Sequence, residues 1–240
     1  MIRAALLDEM VFFDIETVGM YANLEEYRRE DPAGAEMLVA KIGRRAETDI
    51  TWKGDPGEVY LRKAGLTAEF GKIVCICVGT FSWPNETGQP KADIDTVTGS
   101  EEVIIARCVS VFSGFHDKTI CGFNIRGFDI PWLNKKCLVH GWQVPEVLKV
   151  YGHKPWELSI LDLSELWRSG GFDYASLEEC AHSLGFSSPK EDVRGSEVHQ
   201  VFYGGEGGID RIAEYCKRDV KTVMCIAYKL SALRSLAQPR

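Results

Sequence analysis

The sequence contains no apolar run approaching the roughly 20 residues that a membrane-spanning helix needs; runs such as residues 73–79 are strand-sized. Its first ten residues carry Asp8 and Glu9 and lack the apolar core and small-residue cleavage site of a secretory leader. These absences predict a cytoplasmic, unprocessed chain with no membrane association. The eight cysteines, at 75, 77, 108, 121, 137, 180, 216 and 225, include no C-x-x-C pair, and most fall inside apolar or helical patterns. Buried free thiols of an intracellular protein fit this better than a zinc site or a disulfide framework. Cys75 and Cys77 share one face of a predicted strand, but two sulfurs do not make a metal site. The five histidines show no ligand spacing and receive no role. Positive charge is also short: 28 basic against 35 acidic residues give −7, which argues against a surface that coats duplex phosphates. It does not exclude an enzyme that holds a few nucleotides over bound cations, because divalent ions locally invert the field of the acids that bind them.

What the chain does have is a full globular composition, with 45% hydrophobic and 26% charged residues in 240. Residues 11–18 open as an apolar run and read as a buried central strand. Residues 23–46 read as helical with a break near Asp31-Pro32, and residues 52–57 as a turn-rich connection. Strands are predicted at 72–81 and, more weakly, at 93–98, joined by a hairpin turn at 84–90. A helix follows Ser100 to about 115, then a short strand at 119–122, a helix at 128–139 and a last strand at 158–162. Ser176 caps a helix ending at Gly185, residues 204–208 form a loop, and residues 209–233 are the best helix in the sequence. Strands that come first and then alternate with helices suggest an α/β sandwich with a mixed sheet. Neither an internal repeat nor a long linker divides the chain, so one domain over 1–240 with an insertion at about 20–70 is the simplest reading.

Three segments carry chemistry. Asp14 and Glu16 end the first apolar run, and on a strand residues i and i+2 point to one face. Two buried carboxylates side by side are costly unless cations compensate, and Mg²⁺ prefers carboxylate oxygens with retained water; the bland alternative is a surface turn with solvated acids. In residues 122–133, Asp129 falls in the first turn of a helix, where acids are also common for capping and dipole reasons. Asn124 reads either as a substrate contact or as a bridge within its loop. In the last helix, Tyr215 and Asp219 lie four apart on one side, beside an apolar stripe that includes Ile212, Cys216, Val220 and Val223.

In order, Asp14-Ile15-Glu16-Thr17, Asn124…Phe128-Asp129-x-Pro131-x-Leu133 and Tyr215-x-x-x-Asp219 resemble the motifs of the DEDD (DnaQ-like) 3′→5′ exonuclease superfamily. Glu214 stands where the histidine branch keeps its general base, and Tyr215 stands four residues before Asp219, as in the DEDDy branch. That branch includes RNase D and the proofreading domains of family B DNA polymerases. Glu69-Phe70-Gly71-Lys72-Ile73-Val74-Cys75, Ser188-Pro189-Lys190-Glu191-Asp192 and Ile212-Ala213-Glu214-Tyr215-Cys216 are similar to stand-alone bacterial exonucleases related to the polymerase domain.

The resemblance implies an RNase H-like fold, with a central mixed five-stranded sheet flanked by helices. It implies two divalent ions, Mg²⁺ or Mn²⁺, held by Asp14, Glu16, Asp129 and Asp219, with those acids and Tyr215 catalytic. Tyrosine with its ordinary pKa near 10 is a poor base at pH 7, so orienting the attacking water is the economical role for Tyr215. Thr17, Asn124, Phe128 and Lys190 are expected to contact substrate. Phe123, Phe128 and Trp132 suit either base stacking or core packing; Arg126, Lys190 and Arg194 suit either phosphate contact or a solvated loop. The expected reaction releases nucleoside 5′-monophosphates from single-stranded 3′ ends, of DNA before RNA, in proofreading or repair with a polymerase or repair partner not specified. Two alternatives stay open, an RNase D-type exoribonuclease and a non-catalytic nucleic-acid-binding adaptor on the same fold.

Overall fold

The computed structural model describes residues 4–83, 90–186 and 193–232. Strand β1, Met10–Gly19, is the middle of a five-stranded mixed sheet. It pairs antiparallel with β2, Gly71–Ser82, which pairs antiparallel with β3, Lys91–Thr98. On its other side β1 runs parallel to β4, Thr119–Gly122, which runs parallel to β5, Ile160–Asp162. The order is β3-β2-β1-β4-β5. This is the RNase H-like exonuclease arrangement anticipated from the motifs.

Because both faces of β1 are covered, its sequence is a near-continuous apolar run rather than an alternation. Met10, Phe12 and Val18 pack toward α9, Gly208–Ser231. Val11, Phe13 and Ile15 pack toward α4, Glu101–Phe112, and α5, Asp129–Val139. Helix α9 presents Ile212, Cys216, Val220, Val223 and Met224 to the sheet at helical spacing. It lies so close to β2 that a Cβ on Gly79 would meet the Met224 sulfur at 2.7 Å. Glycine at that position is what lets the last helix settle on the sheet.

The residues between β1 and β2 build a separate apolar cluster. Helices α1, Leu24–Glu30, α2, Pro32–Ala46, and α3, Pro56–Lys63, enclose Leu38, Trp52 and Tyr60. The expected break at Asp31-Pro32 is real: Asp31 accepts from Gly34 N–H at 2.9 Å and caps α2, with Pro32 in its first turn. The expected turn at 52–57 is shorter than predicted. Asp55 caps α3 through Gly57 and Glu58, and Pro56 starts the helix. The short helices α6, Leu163–Arg168, and α8, Val198–Tyr203, were not anticipated either, whereas α7, Leu177–Ser183, follows Ser176 as expected. The predicted hairpin turn at 84–90 lies, but for Pro90, outside the described residues. No described helix is long and apolar enough to cross a membrane.

The start of β2 is anchored by a buried polar network. Glu101 accepts from Ile73 N–H at 2.7 Å and pairs with Lys136 at 3.2 Å and His140 at 3.1 Å. Lys136 Nζ, only 3% exposed as a side chain, also donates to Gly71 O.

Candidate active site

Asp14 and Glu16 continue the series Met10, Phe12 along β1, so both carboxylates project toward α9. A register shift separates Glu16 from Thr17, and Thr17 turns its hydroxyl to Gly65 O at 2.5 Å. From α5, Asp129 reaches back to the strand and accepts from Ile15 N–H at 3.0 Å. The backbone between the two strand acids therefore fixes the third. Tyr215 and Asp219 come from one side of α9, with the tyrosine hydroxyl hydrogen-bonded to Asp219. All five residues singled out from the sequence thus converge at one end of β1.

The electrostatics follow from that crowding. Burial first, then the charges of Asp129, Glu16 and Asp219, hold the Asp14 carboxyl well above the usual carboxylate range. Glu16, 8% exposed, is raised by burial and then by Asp219 and Asp129. Asp129, 3% exposed, is pushed up to about 7, chiefly by burial and against the lowering effect of its bond from Ile15 N–H. Tyr215 is raised above its ordinary value by burial, then by Asp219, Glu16 and Asp14, so its hydroxyl stays protonated and can donate. Buried like charges beside one another are unfavourable on their own, and an oxygen-liganded divalent cation is the partner such a donor set fits. One ligand oxygen each from Asp14 and Glu16 and the Cys216 sulfur all lie within 4.8 Å of one another; Asp129 and Asp219 stand outside that tight trio.

The other predicted site residues divide. Asn124 adopts a left-handed conformation, φ 60°, which asparagine tolerates. Its carbonyl accepts from Gly127 and Phe128 N–H at 3.1 and 3.0 Å, and its side chain lies over Gly127. It therefore bridges its loop, while being exposed enough to meet a ligand. Phe128 is half-buried beside Trp132, ring centroids 5.9 Å apart; Trp132 itself is core, and Phe123 packs against the α9-side cluster. Arg126 donates to Ile160 O at 2.8 Å and pairs with Glu165 at 3.4 Å, holding β5 and α6 rather than standing in solvent. Arg194 is exposed. Lys190 lies outside the described residues.

Three contributors went unseen in the sequence. Asp162 accepts from Asn124 and Arg126 N–H at 2.8 and 3.0 Å and from Ser164 N–H at 3.0 Å, clamping the loop that leads to Asp129. Its signal was present, since Asp162-Leu-Ser-Glu165 is a helix-capping pattern. His199 accepts from Gly19 N–H at 3.0 Å through Nδ1 and sits 3.0 Å from Ala22 O through Nε2, fixing the end of β1. Cys216, read as stripe packing, also donates to Asp14 O at 3.3 Å. A groove of about 930 Å³ between β3 and α9 opens onto Tyr215; Lys91, Arg211, Lys217, Arg218 and Lys221 line it together with Asp93, Asp95, Asp210 and Glu214, and Lys91 and Lys217 pair with Asp93 and Glu214.

Residues 65–236 match the family described as predicted 3′-5′ exonuclease related to the exonuclease domain of PolB. The chain belongs to this family of exonucleases. The matched stretch holds Asp129, Tyr215 and Asp219 but begins after β1, so the assignment of Asp14 and Glu16 rests on geometry. Among solved structures, the family B DNA polymerase of the hyperthermophilic archaeon Pyrobaculum calidifontis is similar over 92% of this chain, with TM-score 0.56 and 19% identity. That likeness establishes the shared fold. The E. coli exonuclease I–single-stranded DNA complex in its zinc-bound form covers 92% at TM-score 0.41 and 12% identity. This chain spans 24% of the polymerase's length and 40% of that exonuclease I chain. No curated protein matches the sequence.

Proposed function

We propose that this exonuclease belongs to the tyrosine branch of the DEDD superfamily and removes nucleoside 5′-monophosphates from single-stranded DNA 3′ ends. We read it as one exonuclease domain with a helical insertion at residues 20–70, serving proofreading or repair. The observation that carries the reading is the single point where β1, α5 and α9 meet. Asp14 and Glu16 flank the backbone N–H that holds Asp129, and Tyr215 and Asp219 face them from α9.

In this reading Asp14, Glu16, Asp129 and Asp219 hold two Mg²⁺ or Mn²⁺ ions. The ions supply an activated water and charge stabilisation for the leaving 3′-oxygen. The chain's own residues do the rest. The Asp129–Ile15 bond fixes one carboxylate relative to the two on β1. Tyr215, held protonated, donates a hydrogen bond that orients the attacking water for in-line displacement. The basic side chains of the groove between β3 and α9 offer phosphate contacts to a strand leading to Tyr215. Thr17, Asn124, Phe128 and Lys190 are proposed substrate contacts.

The test is a gel assay of 5′-labelled single-stranded DNA and RNA of equal sequence with Mg²⁺, Mn²⁺ or EDTA, beside Asp14→Ala. A metal-dependent ladder shortening from the 3′ end, faster on DNA and absent in the variant, is expected. A faster ladder on RNA would change the substrate class. Strand binding without any ladder would refute the catalytic reading.

A further inference from the structure

The register of the sheet places thiols opposite the acids. Across the β1–β2 ladder, Asp14 faces Cys77 and Glu16 faces Cys75. Directly opposite residues of an antiparallel pair point to the same face, so the two cysteines stand beside the two carboxylates, toward α9. Helix α9 adds Cys216, the residue between Tyr215 and the remainder of the apolar stripe. The three sulfurs lie within 4.8 Å of one another and all three residues are fully buried. Cys216 alone of the three also forms such a group with carboxylate oxygens of Asp14 and Glu16 among the described residues, so it joins the thiols to the acids and a carboxylate must swing toward Cys75 and Cys77 to complete a four-ligand set.

Three sulfurs around a tetrahedral zinc ion, with Zn–S near 2.3 Å, stand about 3.8 Å apart. The sulfurs here need contract by no more than about 1 Å to reach that spacing. Thiolates select thiophilic cations over Mg²⁺ and Mn²⁺, which prefer oxygen. The thiols are closed off from solvent, and Asp14 beside Cys216 is only partly buried, the least covered of the residues around them.

We propose that Cys75, Cys77 and Cys216 form a site for a thiophilic divalent cation such as Zn²⁺, which takes a carboxylate of Asp14 or Glu16 as its fourth ligand. Each cysteine that coordinates as thiolate releases its proton to solvent. The cation draws a carboxylate away from the hard-metal site, so a thiophilic ion inhibits the nuclease. The inhibitory part rests on the proposed catalytic role of Asp14 and Glu16; the binding part does not.

Titration of the reduced, metal-free protein with Co²⁺ reads the ligand set directly. One equivalent is expected to produce a sulfur-to-cobalt charge-transfer band in the near ultraviolet, displaced by Zn²⁺. The band is expected to persist in Cys225→Ser and to be lost in Cys75→Ser/Cys77→Ser. Cys77→Ser alone, which preserves the 3.2 Å contact with Thr96 Oγ1, serves if the double variant does not fold by circular dichroism. In Mg²⁺-supported assays the Zn²⁺ concentration for half inhibition is expected to rise at least about tenfold in either variant, the lower end of what disturbing a metal site costs. Absence of the band in the wild type, or its survival in both variants, would overturn the site. A band with no change in Zn²⁺ inhibition would overturn the coupling. An inactive wild-type protein that still shows the band would refute the exonuclease reading and leave the thiol site standing.

Discussion

Two buried polar clusters flank the same pair of strands, and they are built on opposite plans. At the start of β2, Glu101 meets Lys136, His140 and the Ile73 N–H, so charge is answered by charge and by hydrogen-bond donors. Close by around β1, toward α9, Asp14, Glu16 and Asp129 are raised first by burial and also by the acids around them, Asp162 in the case of Asp129. The first arrangement holds two helices against a strand. The second works against folding on its own and suits a cation. Buried charge that is paired belongs to the scaffold here; buried charge gathered with its own sign marks the place where something binds.

The contrast can be broken at either cluster. Lys136→Met should leave Glu101 with only His140 and the Ile73 N–H as partners and cost about 3 kcal/mol of stability, the low end for breaking a buried pair. Chemical denaturation would measure the loss, while activity per folded molecule stays near wild type; an equal fall in specific activity would merge the two clusters into one functional unit. Tyr215→Phe should lower kcat by roughly 10- to 100-fold, below the full range of proton-transfer catalysis, as the proposed water-orienting role requires. KM should change little, and Mn²⁺ binding should persist by calorimetry.

The acid cluster also predicts a pH dependence with a definite sign. Asp129 keeps its proton up to about 7 in the fold but only to about the ordinary aspartate value of 3.8 when unfolded. The folded state therefore binds more protons between these values, and the metal-free protein loses stability as pH rises through that window. Mn²⁺ should accordingly raise the thermal midpoint more at pH 8 than at pH 5; an equal shift at both would contradict the assignment. The smallest effect belongs to His199, whose pKa is lowered first by burial. Its contribution is complete above the ordinary histidine value near 6.5 and is lost as pH falls toward its folded pKa. His199→Phe should cost about 1–3 kcal/mol by leaving Gly19 N–H without an acceptor, and should flatten that acid-side slope in melts between pH 7 and pH 5.

How much of this was legible depended on how local the signal was. Asp14 with Glu16, and Tyr215 with Asp219, were readable because strand and helix periods place each pair on one face. Asp129 was readable only through its place at a helix start, and its bond to Ile15 N–H, 114 residues away, could not be seen. The approach of Cys75, Cys77 and Cys216 needed the β1–β2 register and the seat of α9, neither of which is written in any window of sequence. Helix α3 was missed for a different reason: Asp55-Pro56-Gly57 reads equally as a turn and as a capped helix start. The packing around Trp52 and Tyr60 decides between them.

The central claim is that the acids are gathered for a cation at the expense of stability, and Asp129→Asn tests it most directly. Asparagine keeps the acceptor for Ile15 N–H and removes only the charge. Thermal melts of both proteins at pH 8, with and without Mn²⁺, beside exonuclease rates, are the measurement. The account predicts that the metal-free variant melts at least about 2 °C higher than wild type, the shift on the order of 1 kcal/mol gives a chain this size. It also predicts that Mn²⁺ stabilises the variant less and that activity is lost. A variant that melts lower without metal, or that degrades DNA at the wild-type rate, would contradict it.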